Sequence, residues 1–168
     1  MAGFPDSRWG PDRSRLRTAA LAFARSRAGT FTIRTLTPLD RRVMLRSTGR
    51  YTLLGPIGAP TVLLTTTGAR SGQARRSPLL YARDGERLIV AGSNFGQDSH
   101  PAWTHNLLAN PEATVAMAGQ VIPVRARLLA GAEAEAGYRR MVELADVYAV
   151  YRSRTARQIR VFSLERAG

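Results

Sequence analysis

Six strand-like runs, most of them joined by short turns, constrain the fold of this chain more than any other feature. Asp84-Gly85 predicts a tight hairpin turn between the second and third runs, and Gly119 predicts one between the fourth and fifth. Because hairpins join antiparallel strands and few helices intervene, the pattern predicts a mainly β, α+β antiparallel barrel rather than a doubly wound parallel sheet. The runs are residues 61–67, 75–83, 87–93, 113–118, 121–129 and 158–164.

Flanking helices are predicted on three segments. Residues 39–47 have helical spacing of Leu39 and Val43, and a second helix should begin after Asp98-Ser99-His100-Pro101 and end near Ala109. Residues 132–152 carry an apolar stripe at helical spacing, so we expect a single helix that packs on the sheet.

The first 37 residues differ in composition from the rest and divide the chain into an N-terminal arm, residues 1–37, and a barrel domain, residues 38–168. The arm is rich in Arg, Ser, Gly and Pro, with one short apolar patch from Leu16 to Phe23. This composition favours a flexible or loosely packed tail with one or two helical turns. Its interleaved basic and apolar residues are also typical of peripheral attachment to anionic lipid.

The charge balance is strongly basic, with 25 basic residues, all arginine, against 12 acidic ones and a net charge of +13. Such a charge predicts affinity for nucleic acid, an acidic membrane surface or a phosphorylated cofactor. The absence of cysteine excludes disulfides and thiol catalysis and fits a reducing cytoplasm. The sequence has no signal-peptide pattern and no apolar run that would span a bilayer, so we expect a cytoplasmic protein, peripheral on the inner membrane face if the arm binds lipid.

A turn rich in glycine and arginine, Gly68-Ala69-Arg70-Ser71-Gly72, lies between the first two predicted strands. Glycines let the backbone adopt positive φ and approach a ligand, which leaves N–H groups free for anionic oxygens. Arg70, Arg75 and Arg76 would add guanidinium groups suited to phosphate or carboxylate. Local chemistry alone leaves two interpretations open, an anion-binding turn and a solvated basic turn.

Motifs of the common nucleotide and metal sites are absent. No G-x-G-x-x-G follows a strand, and the turn lacks the spacing and lysine of a Walker loop. His100 and His105 are five residues apart on a predicted helix and would not share a face, which argues against a metal site. Residues 93–99 lead into a helix N-terminus, a second candidate for anion or ring-edge contact. Trp103 on that helix is, by residue type, more often a core residue than a ligand contact.

Several fragments occur in a specific order: Thr65-Thr66-Thr67-Gly68-Ala69-Arg70-Ser71-Gly72, Ser77-Pro78-Leu79-Leu80-Tyr81, His100-Pro101-Ala102-Trp103, and Asn106-Leu107 with Asn110-Pro111. In this order they resemble the deazaflavin-dependent nitroreductase family, which comprises actinobacterial split-β-barrel oxidoreductases that use coenzyme F420. The resemblance runs from about Val62 to the final strand. It implies a split barrel of the kind that also binds FMN.

The resemblance also implies how a cofactor would be held. Coenzyme F420 has a flat deazaflavin ring at one end and a phosphate with an oligoglutamate tail at the other. By resemblance, the tail and phosphate would be bound by Arg70, Ser71, Gly72, Arg75 and Arg76. The ring and ribityl chain would contact Pro78, Gly92, Ser93, Trp103 and Asn106.

On the acceptor side the resemblance implies Ser93, Tyr148 and Tyr151, with the arm as a lid. The expected reaction is hydride transfer from the reduced deazaflavin to a quinone, enone, nitro compound or other unsaturated acceptor. Tyr148 or Ser93 would hydrogen-bond the oxygen on which negative charge develops. Ala145 stands where the family has a further tyrosine, and with Phe95 this departure disfavours nitroimidazoles in particular.

Two other functions fit part of the sequence. A split-barrel reductase that binds FMN keeps the fold, but FMN lacks the oligoglutamate and needs fewer arginines at one turn. A basic module that binds membrane or nucleic acid without catalysis would also account for the charge. No exposed aromatic platform or recognition helix supports nucleic acid, so we expect no such partner. The sequence does not determine the oligomeric state.

Overall fold

The computed structural model describes residues 3–7, 15–54 and 58–168, with the side chains of residues 15–17 left aside. Helices and strands alternate along this part of the chain, and a short 3₁₀ turn, Asn94–Gly96, follows the fourth strand. The elements are α1 (Arg15–Arg25), α2 (Arg27–Arg46), β1 (Thr61–Thr67), β2 (Ala74–Leu80), β3 (Ala82–Asp84), β4 (Arg87–Ala91), α3 (Ala102–Ala109), β5 (Glu112–Met117), β6 (Gln120–Leu128), α4 (Gly131–Leu144), α5 (Val147–Ser153) and β7 (Val161–Arg166).

The seven strands form one antiparallel sheet in the order β2-β1-β5-β6-β7-β4-β3. Only Tyr81 separates β2 from β3, so one continuous stretch of chain forms both edges and the sheet curls into a split barrel. This confirms the predicted fold. The single strand predicted at residues 75–83 is two strands, because the chain changes partner at Tyr81, pairing first with β1 and then with β4. Pro78 lies in the edge strand β2, where a missing N–H is tolerated.

Alternation along the strands directs one set of apolar side chains into the barrel. This interior core includes Val62, Leu64, Leu88, Val90, Val115, Met117, Ile122, Val124, Phe162 and Leu164. Phe4 joins it, with 5% of its surface exposed. Arg83 fixes the segment that carries Phe4 by donating to the backbone carbonyls of Phe4 (2.8 Å) and Pro5 (2.6 Å). Residues 3–7 therefore pack at the end of the barrel where β1 begins, opposite the β1–β2 turn.

A second core covers the outer face of β4 and β7, beneath α4 and α5. Tyr138, Met141, Tyr148 and Tyr151 pack there against the sheet. The single helix predicted at residues 132–152 is wrong: Ala145 is extended (φ −153°, ψ 112°) and separates α4 from α5. The break reorients the chain so that α5 packs on the turn after β4 as well as on α4.

The N-terminal segment is more helical than its composition predicts. The apolar patch from Leu16 to Phe23 belongs to the 11-residue helix α1, and the helix predicted from Leu39 begins at Arg27. Helix α2 passes through Pro38, so the predicted arm boundary falls inside it. Residues 1–2 and 8–14 of the predicted arm lie outside the described residues, and its role as a lid stays a prediction. Within the described ranges, no helix combines the length and apolarity needed to cross a membrane.

Candidate active site

The β1–β2 turn is closed by its own backbone. Gly68 N–H donates to the Gln73 carbonyl (2.8 Å), and Gly72 N–H donates to the Gly68 carbonyl (2.8 Å). Gly72 has φ +66°, and a Cβ on Gly68 would lie 2.7 Å from the Ser71 Oγ, so both positions require glycine. Among the described residues, the backbone amides of Arg70 and Ser71 have no hydrogen-bond partner. The turn thus offers two free donors, fewer than the predicted run of successive N–H groups.

The three arginines of this region are exposed, and none forms an ion pair with a carboxylate of the described residues. Arg75 pairs with Thr66 in the β1–β2 register, on the face that continues into the barrel core. Arg76, the next residue on the strand, is on the opposite face. Arg70 and Arg75 therefore flank the turn on the interior side, whereas Arg76 projects over the outer edge.

Asn106 joins α3 to the turn. Its side chain is buried, its Nδ2 donates to the Thr66 Oγ1 (2.9 Å), and its Oδ1 accepts from the Ala69 N–H (3.0 Å). Trp103 lies one turn earlier on the same face of α3 and is only 6% exposed. Its ring centroid is 5.7 Å from that of Phe162 in the barrel core. Both residues thus position the helix and the turn within the protein itself.

Gly92 lets the end of β4 contact α3. A Cβ at this position would lie 2.7 Å from the Thr104 Cγ2 and 3.4 Å from the Pro101 Cγ. The predicted ring-contact residues therefore divide: Gly92, Trp103 and Asn106 pack around α3, while Pro78 lies across the sheet, paired with Leu63 in β1.

The loop after β4 carries Ser93 and has a strained backbone. Ser93 is 8% exposed, and its hydroxyl has no hydrogen-bond partner among the described residues. Asn94 and Phe95 follow with φ of 46° and 57°, left-handed values that are uncommon for residues other than glycine. The Phe95 ring packs edge-on against Tyr151, with centroids 5.8 Å apart. The loop thereby connects Ser93 to the tyrosines of α5.

Arg157 is a site residue that the sequence reasoning missed. Its guanidinium donates to the carbonyls of Ser93 (2.8 Å), Gly92 (3.1 Å) and Gln97 (2.8 Å). It also contacts the His100 Nδ1 at 3.1 Å. Nothing in the sequence pattern distinguishes Arg157 from the other arginines, because its partners are backbone carbonyls far away in sequence.

Tyr148 and Tyr151 lie together in the second core, with ring centroids 5.8 Å apart. Burial strongly raises the pKa of Tyr148, and burial also raises the pKa of Tyr151. The Tyr148 hydroxyl has no hydrogen-bond partner among the described residues, whereas its carbonyl accepts from the Tyr138 hydroxyl at 2.7 Å. Both phenols therefore remain protonated at neutral pH and act as hydrogen-bond donors rather than bases.

His100 and His105 contact each other, contrary to the prediction from helical spacing. Their ring centroids are 5.9 Å apart. The prediction was wrong because His100 precedes the first residue of α3, Ala102, so the helical period does not apply to it. Across residues 3–7, 15–54 and 58–168, no group of three or more metal-ligating side chains is gathered.

We expect His100 to make stability depend on pH below neutrality. Burial, followed by the charges of Arg160, Arg157 and His105, lowers its pKa from the usual 6.5. Because the folded protein binds this proton less readily than the unfolded chain, the contribution is complete above about pH 6.5 and decreases as pH falls towards the folded-state pKa. Urea unfolding from about pH 5 to about pH 7.5 should show a smaller slope for His100→Asn than for the wild type. Equal slopes would contradict this assignment.

The structure brings most of the predicted site into one continuous chain of contacts. The turn is joined to α3 by Asn106, α3 packs on Gly92, and the Ser93 loop reaches Tyr151 through Phe95. The aromatic residues are divided between two cores: Trp103 lies inside the barrel, and the two tyrosines lie outside it.

Residues 32–166 match the family described as F420H(2)-dependent quinone reductase. A relative in Mycobacterium tuberculosis, itself an F420H(2)-dependent quinone reductase, is 35% identical over 116 residues, 66% of this chain and 76% of the relative. A putative F420H(2)-dependent quinone reductase of Mycobacterium bovis has the same identity and coverage.

Solved structures agree with this match. The F420-H2 dependent reductase FDR-A is 39% identical, with a TM-score of 0.59 over 63% of this chain and 94% of that one. A protein solved as a domain-swapped dimer is 36% identical, with a TM-score of 0.60 over 77% of this chain and all of the other.

These matches confirm the resemblance drawn from the sequence fragments, and they support coenzyme F420 as the cofactor in place of the FMN alternative. The family match covers the whole sheet, α3, the Ser93 loop and both tyrosines. The chain belongs to the F420H(2)-dependent quinone reductase family and is an F420-dependent reductase.

Proposed function

We propose that this protein reduces a quinone with F420H2 and binds the charged end of the cofactor at the β1–β2 turn. The observation that carries the proposal is the set of donors at that turn, where arginines without carboxylate partners stand beside two free amides. The same family membership leaves enones and nitro compounds as further acceptors to test.

The donor set fits the chemistry of the cofactor's charged end. Phosphate and glutamate oxygens accept hydrogen bonds and carry negative charge, and a guanidinium can bind either in a bidentate way. Arg70 and Arg75, with the amides of Arg70 and Ser71, would hold the phosphate and the first glutamates. Gly72 keeps the turn in the required conformation. Arg76, on the opposite face, would meet only a tail that passes over the outer edge of β2.

The remaining cofactor contacts would be built around α3. When bound, the reduced deazaflavin supplies the hydride for the acceptor. Asn106 already uses both ends of its amide on Thr66 and Ala69, so it would act by holding the turn against α3. Trp103 would fix the helix through the barrel core, and Pro78 and Gly92 would shape the wall on which the ring rests.

The acceptor would be oriented by hydroxyl groups. Reduction of a quinone places negative charge on an oxygen, and a neutral donor fixed beside that oxygen stabilises the charge. Ser93 has a buried hydroxyl without a partner in the described structure, and Tyr148 is held protonated by burial. These two are the proposed donors, and Tyr151 supports the loop through Phe95.

A cofactor titration tests the proposal. Binding of coenzyme F420, of the deazaflavin riboside without phosphate and glutamates, and of FMN would each be followed by fluorescence. We expect F420 to bind at least about 100-fold more tightly than the riboside, because only F420 reaches the arginines. Equal affinities for F420 and the riboside would refute binding of the tail at the turn. Turnover with a quinone, an enone and a nitroimidazole would then rank the acceptors.

We further propose that α2 contacts anionic membrane, where lipid-soluble quinones reside. Phe31, Leu39 and Leu45 are 70%, 48% and 40% exposed, on the side of α2 away from its buried Met44. Arg34 and Arg42 are exposed on this surface and form no ion pair with a described carboxylate. Mixed basic and apolar side chains of this kind bind the headgroup region of anionic bilayers.

Vesicle sedimentation tests this contact. The wild type should bind phosphatidylglycerol vesicles and leave phosphatidylcholine vesicles largely unbound, because the arginines need anionic headgroups. Replacing Phe31 and Leu39 by serine should reduce binding by about 10-fold or more through loss of apolar burial. Val121→Ser is the matched control, since Val121 is 60% exposed on β6. Equal binding of the double variant and the control would refute the contact.

A further inference from the structure

We propose that Arg157 is a positioning residue for the reaction: it holds the strained turn at Asn94–Gly96, and this keeps the Ser93 hydroxyl in place. The inference rests on the role proposed above for Ser93 as a donor to the acceptor. It adds a residue to the site that makes no contact of its own with the acceptor.

The turn needs an external restraint. Asn94, Phe95 and Gly96 are consecutive and all left-handed, with φ of 46°, 57° and 76°. Each residue other than glycine in this conformation costs about 1–2 kcal/mol, so the turn would relax if it were free. Relaxation would move Ser93, which directly precedes the turn.

Arg157 supplies that restraint by contacting both sides of the turn. Its Nη2 donates to the carbonyls of Gly92 and Ser93 before the turn, and its Nε donates to the carbonyl of Gln97 after it. The planar guanidinium holds these oxygens at fixed separations, which a lysine ammonium cannot do. Among the described residues, no other side chain hydrogen-bonds backbone on both sides of the turn.

The remaining contacts of the turn are local or lie on one side. The Asn94 Nδ2 donates to the Ser99 carbonyl within the same loop. Phe95 packs on Tyr151, and a Cβ on Gly96 would lie 2.8 Å from the Tyr151 carbonyl, so this side is seated against α5. These contacts limit where the turn lies, but they do not join its two ends.

A double-mutant cycle tests whether Arg157 acts through Ser93. Arg157→Met should lower kcat by about 10- to 100-fold and change the KM for F420H2 by less than about 3-fold, because a small displacement of Ser93 affects the reaction more than cofactor binding. In the Ser93→Ala background, where there is no hydroxyl to position, Arg157→Met should lower kcat by less than about 3-fold. Arg157→Lys should give an intermediate loss, and it replaces the Met variant if that variant does not fold.

Two measurements separate positioning from general damage. In the cofactor-free protein, amide hydrogen exchange at Gly96 and Gln97, whose N–H groups are bonded within the turn, should rise in Arg157→Met while exchange in the barrel strands is unchanged. Added guanidinium should restore part of the turnover of Arg157→Ala. Arg125→Met is the matched control, because Arg125 pairs with Glu112 on an exposed strand surface away from the loop.

The outcomes are distinguishable. If Ser93→Ala does not lower kcat, the proposed role of Ser93 fails and this inference fails with it. If Ser93→Ala lowers kcat but Arg157→Met has the same effect in both backgrounds, the inference alone is overturned. Increased exchange confined to the turn, together with non-additive losses, supports it.

Discussion

Replacing both Arg70 and Arg75 by glutamine should weaken binding of coenzyme F420 by at least about 100-fold and leave binding of the deazaflavin riboside nearly unchanged. Each arginine is exposed and has no ion-pair partner among the described residues, so no internal contact is lost. A charge-assisted hydrogen bond contributes about 1.5–3 kcal/mol, and two of them account for the expected factor. Fluorescence titration of both ligands measures the difference.

Single variants sharpen this experiment. Arg76→Gln should have a smaller effect than Arg75→Gln, because the two side chains leave β2 on opposite faces. Arg125→Gln controls for net charge. If all three single variants weaken F420 binding equally, long-range charge rather than contact at the turn holds the tail, and the proposed site is wrong.

Replacing Phe162 by alanine should lower the free energy of unfolding by about 3–5 kcal/mol. Phe162 is 1% exposed in the interior core, and its ring contacts that of Trp103. The cavity would remove packing from β7 and from α3 together. Urea unfolding followed by circular dichroism measures the loss, and Phe31→Ala, at a 70% exposed position, should change stability by less than about 0.5 kcal/mol. A loss below about 1 kcal/mol for Phe162→Ala would show that the barrel refills the space.

The strands were predictable because the barrel is amphipathic at a period of two. Residues 61–67 were predicted with the bounds that the structure shows, and the predicted edge position of Pro78 is confirmed. The breaks at Tyr81 and Ala145 were not predictable, since neither residue is a glycine or proline. Each break is imposed by tertiary contacts: a change of strand partner at Tyr81, and the burial of Ala145 under α5.

The site was predictable where its chemistry is local in sequence. The β1–β2 turn carries its glycines and arginines within a few residues, so its anion-binding character was visible. Contacts between distant segments were not: Asn106 bonding Ala69, and Arg157 bonding three carbonyls, depend on how α3 and the segment after α5 return to the sheet. The extent of helix before Pro38 was also missed, because composition describes solvation better than it describes helical packing.

The position of β7 in the sheet has a consequence for synthesis of the protein. β7 lies between β6 and β4, so it joins the part of the sheet formed by β2, β1, β5 and β6 to the part formed by β4 and β3. Every other strand leaves the ribosome before it. Until residues 161–166 emerge, β6 and β4 each present an unpaired edge, and such edges promote association between nascent chains. Chain termination shortly before Val161 should therefore give aggregated protein, even though the turn, α3 and the Ser93 loop would all be present.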